Sequence, residues 1–259
     1  MPDGYSKEAD LKPPLVRYWL TPASDEPERE GKIADVCTVY REAPARAERG
    51  ERSVSTDEMT GVQALERAAP ELPPRPGNVP RREFEYIRHG TLSLMINFDV
   101  ATGEVISPSF GPTRTEADFL AHIRRTVQSD PTTTRWHFVV DNLNTHCSES
   151  LVRYVAEAAG STIDLGKKDS YGVLQSMASR AAFLSDPTHT IVFHYTPKHA
   201  SWLNQVEIWL SILVRKLLRR GSFISTDDLR TKVLAFITYF NRTMAKPFKW
   251  TYQGKPLHV

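Results

Sequence analysis

The sequence contains only two cysteines, Cys37 and Cys147, among 259 residues. They lie far apart and lack the CxxC spacing of a zinc site, which argues against both a disulfide framework and structural zinc and fits a reducing cytoplasm. No apolar run approaches the roughly 18 residues that a membrane helix needs, and the first residues, MPDGY, lack the basic-then-apolar pattern of a secretory leader. We therefore expect a protein that is neither membrane-embedded nor exported.

Positive and negative charges nearly balance over the whole sequence, but positive charge is concentrated in its C-terminal quarter. The formal net charge is only +2, yet residues 198–259 carry eleven Lys or Arg and three Asp or Glu, a net charge of +8. The remaining residues therefore carry −6. A basic C-terminal quarter on an acidic body is the asymmetry expected of a protein that meets a polyanion, although a solvated basic helix face gives the same count.

Hydrophobic periodicity predicts a mixed α/β fold. Predicted strands cover residues 52–57, 90–98, 104–110, 136–140 and 190–194. Predicted helices cover residues 25–42, 116–127, 148–159, 203–219 and 226–243. Residues 43–52 resemble a linker, and residues 70–80 hold five prolines and must form a surface loop. Residues 164–187 form an insertion between the fourth and fifth strands, partly helical around 173–183. The order of elements predicts a sheet covered by helices on both faces.

Asp141 is the first candidate for chemistry. It follows the apolar strand WHFVV and precedes the polar segment NLNTH. Functional groups in open α/β sheets collect at the carboxyl ends of strands, where a carboxylate can bind a cation while its strand holds it rigid. A helix-capping acid or an Asx turn is the ordinary alternative.

Glu207 is the second candidate. On a helix its neighbours at i−4, i+3 and i+7 are apolar, so its carboxylate lies on the inward face; they are Leu203, Leu210 and Val214. An unpaired charge there is costly, so Glu207 needs a partner: a cation, a hydrogen-bond network, or a buried salt bridge.

Asp57 completes a possible carboxylate cluster. It ends the first predicted strand and is followed by Glu58, which taken alone is a weak signal. Two strand-end aspartates and a glutamate on a packed helix, with little competing Cys or His, favour Mg²⁺ or Mn²⁺ over zinc. Two such ions can activate a water or hydroxyl nucleophile and stabilise the leaving oxygen of a phosphoryl displacement.

Several motifs resemble those of the IS630 family of bacterial insertion-sequence transposases, within the IS630–Tc1–mariner group of DDE enzymes. The most specific is YTPKHASWLNQVE at residues 195–207, followed by VVDN at 139–142 with His146. Residues 88–91 (RHGT), 219–223 (RRGSF) and 247–250 (PFKW) are also similar. The resemblance covers roughly residues 50–252, and Asp57 with Glu58 matches only by position and order.

The resemblance implies an RNase H-like fold in which Asp57, Asp141 and Glu207 bind two Mg²⁺ ions, with Mn²⁺ as a substitute. It implies a domain division into an N-terminal linker or helical remnant (1–50), a catalytic domain (51–245) and a C-terminal tail (246–259). It further implies double-stranded DNA as partner, action as a homodimer, and a bacterial cytoplasmic location at the nucleoid.

Two departures from the family matter. Sixty-five residues separate the second and third acids, more than in mariner-like relatives, and the 164–187 block accounts for the excess by looping out. The family normally begins with helix-turn-helix units that recognise the element ends. Here about fifty residues precede the first strand and hold one good helix. The sequence therefore resembles a catalytic half without most of its sequence-reading half.

Candidate DNA contacts surround the third acid. Lys198, His199 and Trp202 offer a phosphate contact, a polar contact and a stacking surface. Basic side chains that share helix faces could follow a DNA backbone, or could simply be a solvated helix end; they are Arg215, Lys216, Arg219 and Arg220. Trp202 could instead belong to the core, and His146 could orient Asp141, bind phosphate or be structural. His194 is expected in the core.

The sequence thus leads to one main hypothesis and two rivals. The main one is a metal-dependent DDE transposase that cleaves DNA strands and transfers them without a covalent enzyme intermediate. The first rival is a catalytically silent truncated remnant that only binds DNA or a partner. The second is a different nuclease on the same fold.

Overall fold

The computed structural model describes residues 28–81 and 83–252 and contains one five-stranded sheet. Its strands are β1 (Glu51–Arg67), β2 (Tyr86–Asp99), β3 (Val105–Gly111), β4 (Arg135–Val140) and β5 (Ile191–Tyr195). The order across the sheet is β3-β2-β1-β4-β5. Strand β2 is antiparallel to both neighbours, whereas β1, β4 and β5 are parallel to one another. The predicted mixed sheet is confirmed, with all five predicted strands in it.

Helices cover both faces of this sheet. They are α1 (Arg29–Glu48), α2 (Glu116–Ser129), α3 (Glu149–Ala158), α4 (Met177–Leu184), α5 (Val206–Leu213) and α6 (Thr226–Thr243). Hydroxyl side chains cap the first turns of α2, α3, α4 and α6, which fixes where each begins; they are Thr115, Ser148, Ser176 and Ser225. In the part of the chain that the structure describes, no helix combines the length and apolarity needed to cross a bilayer.

Alternation along the strands divides the core in two. On β4, Phe138 and Val140 pack with α2, α3 and α4, while Val139 between them packs with α1. On β2, Leu94, Ile96 and Phe98 face α5 and α6. The carboxyl end of β4 lies beside the middle of β1, where the parallel pairing of the two strands ends at Ser55 and Val139.

The first helix is longer than predicted. The sequence predicts that it ends at residue 42 and that a linker follows, but α1 continues to Glu48 with Pro44 inside it. Ala43 and Tyr40 are buried on the sheet, and this packing outweighs the hydrogen bond that proline cannot donate. Residues 25–27 of the predicted helix lie outside the described residues. The domain boundary at residue 50 stays a prediction, although α1 packs directly on β1 and β5.

The 164–187 insertion does not loop out as expected. It holds a 3₁₀ turn (Val173–Gln175) and α4, so its helical character is confirmed. Leu174 and Leu184 are fully buried in the core beside α3, which makes the segment part of the packed layer. Residues 70–80, in contrast, are an exposed loop with isolated bridges only, as five prolines dictate.

The chain returns to the sheet after α6. Phe248 stacks on Phe98 with ring centroids 4.6 Å apart, and Trp250 packs edge-on against Tyr40 at 4.8 Å. Residues 246–252 of the predicted tail therefore cover the core. Residues 253–259 lie outside the described residues.

Candidate active site

The three predicted acids come from three separate elements. Asp57 lies on β1, Asp141 directly follows β4, and Glu207 lies in the first turn of α5. The pairing of β1 with β4 ends at Ser55 and Val139, so Asp57 and Asp141 both lie just beyond the same end of the parallel ladder. One detail of the prediction is wrong: Asp57 does not end its strand. Strand β1 continues to Arg67 because β2 pairs with it well past the end of β4.

Asn204 joins the strand of the first acid to the helix of the third. The sequence predicts one helix from 203 to 219, but a 3₁₀ turn (Ser201–Leu203) ends at Asn204 and α5 begins at Val206. At this break the fully buried Asn204 amide donates to the Thr56 carbonyl at 3.0 Å and to Asp57 Oδ2 at 3.3 Å.

Ser55 completes this network. Its hydroxyl donates to Asn204 Oδ1 and accepts from the Val206 backbone N–H at 2.8 Å. From the other side, the Tyr40 hydroxyl donates to the Leu203 carbonyl at 2.9 Å, so α1 also holds this turn. The start of α5 is thereby fixed on β1, which sets Glu207 beside Asp57.

Asp57 and Glu207 repel one another in a poorly hydrated place. Asp57 is only 9% exposed, and burial, reinforced by the charges of Asp141 and Glu207, raises its pKa to about 7. Burial and the charge of Asp141 also raise the pKa of Glu207, while a hydrogen bond from Asp57 partly offsets them. Within residues 28–81 and 83–252, no Lys, Arg or His forms a salt bridge with either acid, so the buried salt bridge considered for Glu207 finds no partner there.

Asp141 has a cationic partner. His146, fully buried on the 3₁₀ turn Asn144–Cys147, donates from Nδ1 to Asp141 Oδ1 at 2.7 Å and from Nε2 to Glu58 Oε1 at 3.2 Å. Burial acts to lower the pKa of His146, but these two hydrogen bonds raise it to about 10. The Leu143 backbone N–H also donates to Asp141 Oδ1 at 3.2 Å. Of the roles considered for His146, the structure places it on Asp141.

The donor set fits a hard divalent cation. Three carboxylates from different elements influence one another electrostatically, and those of Asp57 and Glu207 have raised pKa values. A bound cation would stabilise the ionised forms of such closely placed acids. In the conformations present, however, no three His, Cys, Asp or Glu side chains of the described residues are arranged to hold a metal ion. Binding therefore requires local side-chain adjustment at this edge.

The predicted basic side chains lie beyond α5. The predicted helix ends here in a π turn (Val214–Leu218) and not in continuing α-helix. Four exposed basic side chains project from this turn and its end, with no salt bridge among the described residues; they are Arg215, Lys216, Arg219 and Arg220.

The segment before α5 is also at the surface. Trp202 is 53% exposed and packs edge-on against Tyr252, so its assignment to the core is wrong. His199 is exposed with a φ of 57°, and the Lys198 carbonyl accepts from Arg29 at 2.9 Å. His194 is buried as expected, hydrogen-bonded to His137 and Asp35.

Sequence reasoning missed the residues that support the acids. Asn204 and Ser55 lie about 150 residues apart, and Asn204 falls inside the helix predicted for residues 203–219, so no local signal marked it. The side chain of Glu58 is only 1% exposed. In the sequence, its place beside Asp57 was only a weak signal of a functional site. Arg180, in the insertion, is buried and donates to the Cys147 carbonyl at 2.6 Å. No local pattern identifies that contact.

Comparison with known proteins decides the family. A protein-family model described as DDE superfamily endonuclease matches residues 52–230, more than half of the chain. The chain belongs to this family. The predicted DDE membership is therefore confirmed. No curated protein matches the sequence.

Solved structures show the fold of this DDE family member. The Mos1 mariner paired end complex with Mn matches with a TM-score of 0.50 and 14% identity, over 88% of this chain and 60% of that one. The Mos1 strand transfer complex matches equally, over 90% and 60%. The predicted RNase H-like sheet is confirmed by this likeness. The DDE chain described here spans 60% of the length of those Mos1 chains.

Proposed function

We propose that the chain is the catalytic part of a transposase that cleaves DNA strands and joins them to a new site. The observation that carries the proposal is the convergence of Asp57, Asp141 and Glu207 at one edge of the sheet in a chain of the DDE endonuclease family. Each acid comes from the element and in the order that the family resemblance implies. The activity extends beyond the matched domain and is therefore a proposal about the whole protein.

The three acids would hold two Mg²⁺ ions, or Mn²⁺ in their place, and the solved Mos1 paired end complex with Mn supports this choice of metal. When bound, such ions activate a water or a 3′-hydroxyl and stabilise the leaving oxygen of the phosphodiester. The chain's own residues prepare this site. Asp57 must lose its proton before it can bind a cation, and Asn204 donates a hydrogen bond to its Oδ2. The start of α5 sets Glu207 close enough for its charge to raise the pKa of Asp57.

Double-stranded DNA is the proposed partner. The basic turn (Arg215, Lys216, Arg219 and Arg220) is exposed and follows directly from the helix that carries Glu207. Lys198, His199 and Trp202 lie on the segment before the same helix, so both ends of α5 offer contacts to a strand that passes the acids.

Assembly and location complete the proposal. The Mos1 neighbours are paired end and strand transfer complexes, which supports action of this chain as a homodimer on two DNA ends. A bacterial cytoplasmic location at the nucleoid follows from the same function.

The test is a cleavage and joining assay. Purified protein is incubated with Mg²⁺ and a duplex carrying the sequences that flank its coding region. Asp141→Asn is expected to abolish both cut and joined products. Asp227→Asn, the same substitution at an exposed position in the first turn of α6, is the matched control and is expected to retain them.

The products separate the alternatives. If Asp141→Asn cuts as well as the parent chain, the catalytic assignment is wrong. Cutting without joining would identify a nuclease of another kind. Binding without any cutting by the parent chain would identify the silent remnant, in whose favour no observation on the described residues stands.

A further inference from the structure

The turn that carries His146 is held from several sides. The Tyr195 hydroxyl on β5 donates to the His146 carbonyl at 2.9 Å, and Arg180 donates to the next carbonyl, that of Cys147, at 2.6 Å. The imidazole itself packs against the Phe119 ring with centroids 4.2 Å apart. Contacts from α2, α4 and β5 therefore define the position of this one side chain.

The imidazole bridges two carboxylates on neighbouring strands of the sheet. Its Nδ1 donates to Asp141, just after β4, and its Nε2 donates to Glu58 on β1. Glu58 is almost fully buried, and its second oxygen has no hydrogen-bond partner among the described residues. A buried acid with one unmatched oxygen is costly, so its single bond to His146 calls for an explanation beyond packing.

The bridge leaves the two oxygens of Asp141 unequal. Oδ1 accepts from both His146 and the Leu143 backbone, whereas no described residue bonds Oδ2. A carboxylate held by one oxygen has the other available for a ligand. Residues that orient a metal-binding carboxylate in this way are common behind metal sites.

We propose that His146, itself fixed by Glu58, is a positioning residue that holds Asp141 by Oδ1 and presents Oδ2 to the metal ion. This inference rests on the proposed function, because it assigns Asp141 to a metal. It adds a role for two residues that are not among the three acids. Arg180 extends the support, since it ties the 164–187 insertion to the same turn.

The experiment measures Mn²⁺ binding to metal-free full-length protein by titration calorimetry, without DNA. His146→Phe keeps a ring against Phe119 and removes both bonds. It is expected to weaken binding by roughly 10-fold or more, within the range of about 10- to 100-fold typical of lost supporting residues. His189→Phe, another buried histidine that packs on Phe183, is the matched control and is expected to bind like the parent.

A pair of Glu58 variants separates the bond from the charge. Glu58→Gln loses the charge but keeps an acceptor oxygen for His146, whereas Glu58→Met loses both. We expect Glu58→Met to bind Mn²⁺ about 10-fold more weakly than Glu58→Gln, which is the small end of the range typical of lost supporting residues. If His146→Phe does not fold, as its circular dichroism will show, this pair decides the question alone.

Each result has one meaning. If the parent and Asp141→Asn bind Mn²⁺ equally, the metal site and the positioning role both fail. If Asp141→Asn loses binding while His146→Phe and Glu58→Met bind like the parent, the metal site stands and the positioning role is overturned. A lowered melting temperature with unchanged Mn²⁺ affinity identifies a structural role only, and also overturns the inference.

Discussion

Asp57 and Asp141 lie at the same edge of the sheet, but their surroundings differ in both burial and charge. Asp57 is buried, and the contacts to its side chain come from a neutral amide, from the Glu58 backbone and from other acids. The side chain of Asp141 is 30% exposed and pairs with the buried, positively charged imidazolium of His146. Burial thus favours the neutral, protonated form of Asp57, whereas Asp141 forms an ion pair with His146.

The difference shows how a cluster of acids can be tolerated before any cation is present. Protonation removes the charge of Asp57 at a small cost near neutral pH, because its pKa is about 7. Asp141 needs no such device, since His146 supplies a positive charge. Binding of Mg²⁺ would therefore require Asp57 to lose its proton, whereas Asp141 would meet the cation while its Oδ1 is hydrogen-bonded to His146.

The largest expected effect is an opposite response of stability to the same substitution at the two acids. In EDTA at pH 8, Asp57→Asn removes a charge from a buried cluster and is expected to raise the free energy of unfolding by on the order of 2–4 kcal/mol. Asp141→Asn replaces the anionic partner of His146 with a neutral amide and is expected to lower it by about 1–3 kcal/mol. Urea denaturation measures both. Changes of the same sign at the two positions contradict the comparison.

The two acids also predict separate pH ranges for loss of stability. Because the pKa of Asp57 is raised when folded, its protonated form favours the metal-free fold, and that contribution is lost as pH rises from about 4 to about 7. The raised pKa of His146 gives a contribution that is complete below about 6.5 and lost as pH rises through about 10. Denaturation of the parent, Asp57→Asn and Asp141→Asn across pH checks this. Asp57→Asn is expected to flatten the lower range. Asp141→Asn is expected to flatten the upper range and to change the lower one less, because the charge of Asp141 adds to the effect of burial on the pKa of Asp57.

A smaller effect is expected at the neutral support of Asp57. Asn204→Ala removes the amide that joins Thr56 and Asp57 to Ser55, and is expected to lower the free energy of unfolding by about 1–3 kcal/mol. No charge is lost, so the cost is expected to be the same in low and high salt. Thermal denaturation at two salt concentrations measures it, with the exposed Asn144→Ala as control. A strong salt dependence would show that Asn204 acts through charge.

The smallest effect concerns exposed positive charge, in contrast to the buried charge of His146. Arg215→Ala with Arg219→Ala is expected to leave folding unchanged and to reduce the slope of log Kobs against log salt for DNA binding by about 2. Fluorescence anisotropy with a labelled duplex gives the slope. Replacement of Arg153, which pairs with Glu149 on the surface of α3, is the control and is expected to leave the slope as it is. An unchanged slope in the double variant removes the basic turn from the DNA-binding surface.

The strands along the chain and the structural settings of two of the acids could be predicted because their signals are local. A short apolar strand followed by a polar segment marks Asp141, and the helical period places Glu207 on an inward-facing side. The extent of β1 could not be predicted, since it depends on how far β2 continues beside it. Asp57 was therefore located correctly at the sheet edge but not within its strand.

Long-range contacts account for the other differences. The hydrophobic period of residues 203–219 is continuous and predicts one helix. The helix breaks at Asn204, whose side chain is hydrogen-bonded to Ser55 and Thr56, and no residue near Asn204 in the sequence indicates this. The charged and small residues 43–52 favoured a linker, because the surface that keeps α1 helical there belongs to other elements, including β1 and β5. The Glu58–His146 bridge links residues 88 positions apart. Such contacts exist only once the sheet has formed.

The contact between Arg180 and the Cys147 carbonyl shows that the residues that lengthen the spacing between the second and third acids also stabilise the structure. A chain trimmed to mariner-like spacing by removing residues 164–187 would lose two fully buried leucines and the guanidinium that anchors the loop after Asp141. The additional residues are therefore part of the packed structure, and a chain without them would need other side chains to hold this loop in place.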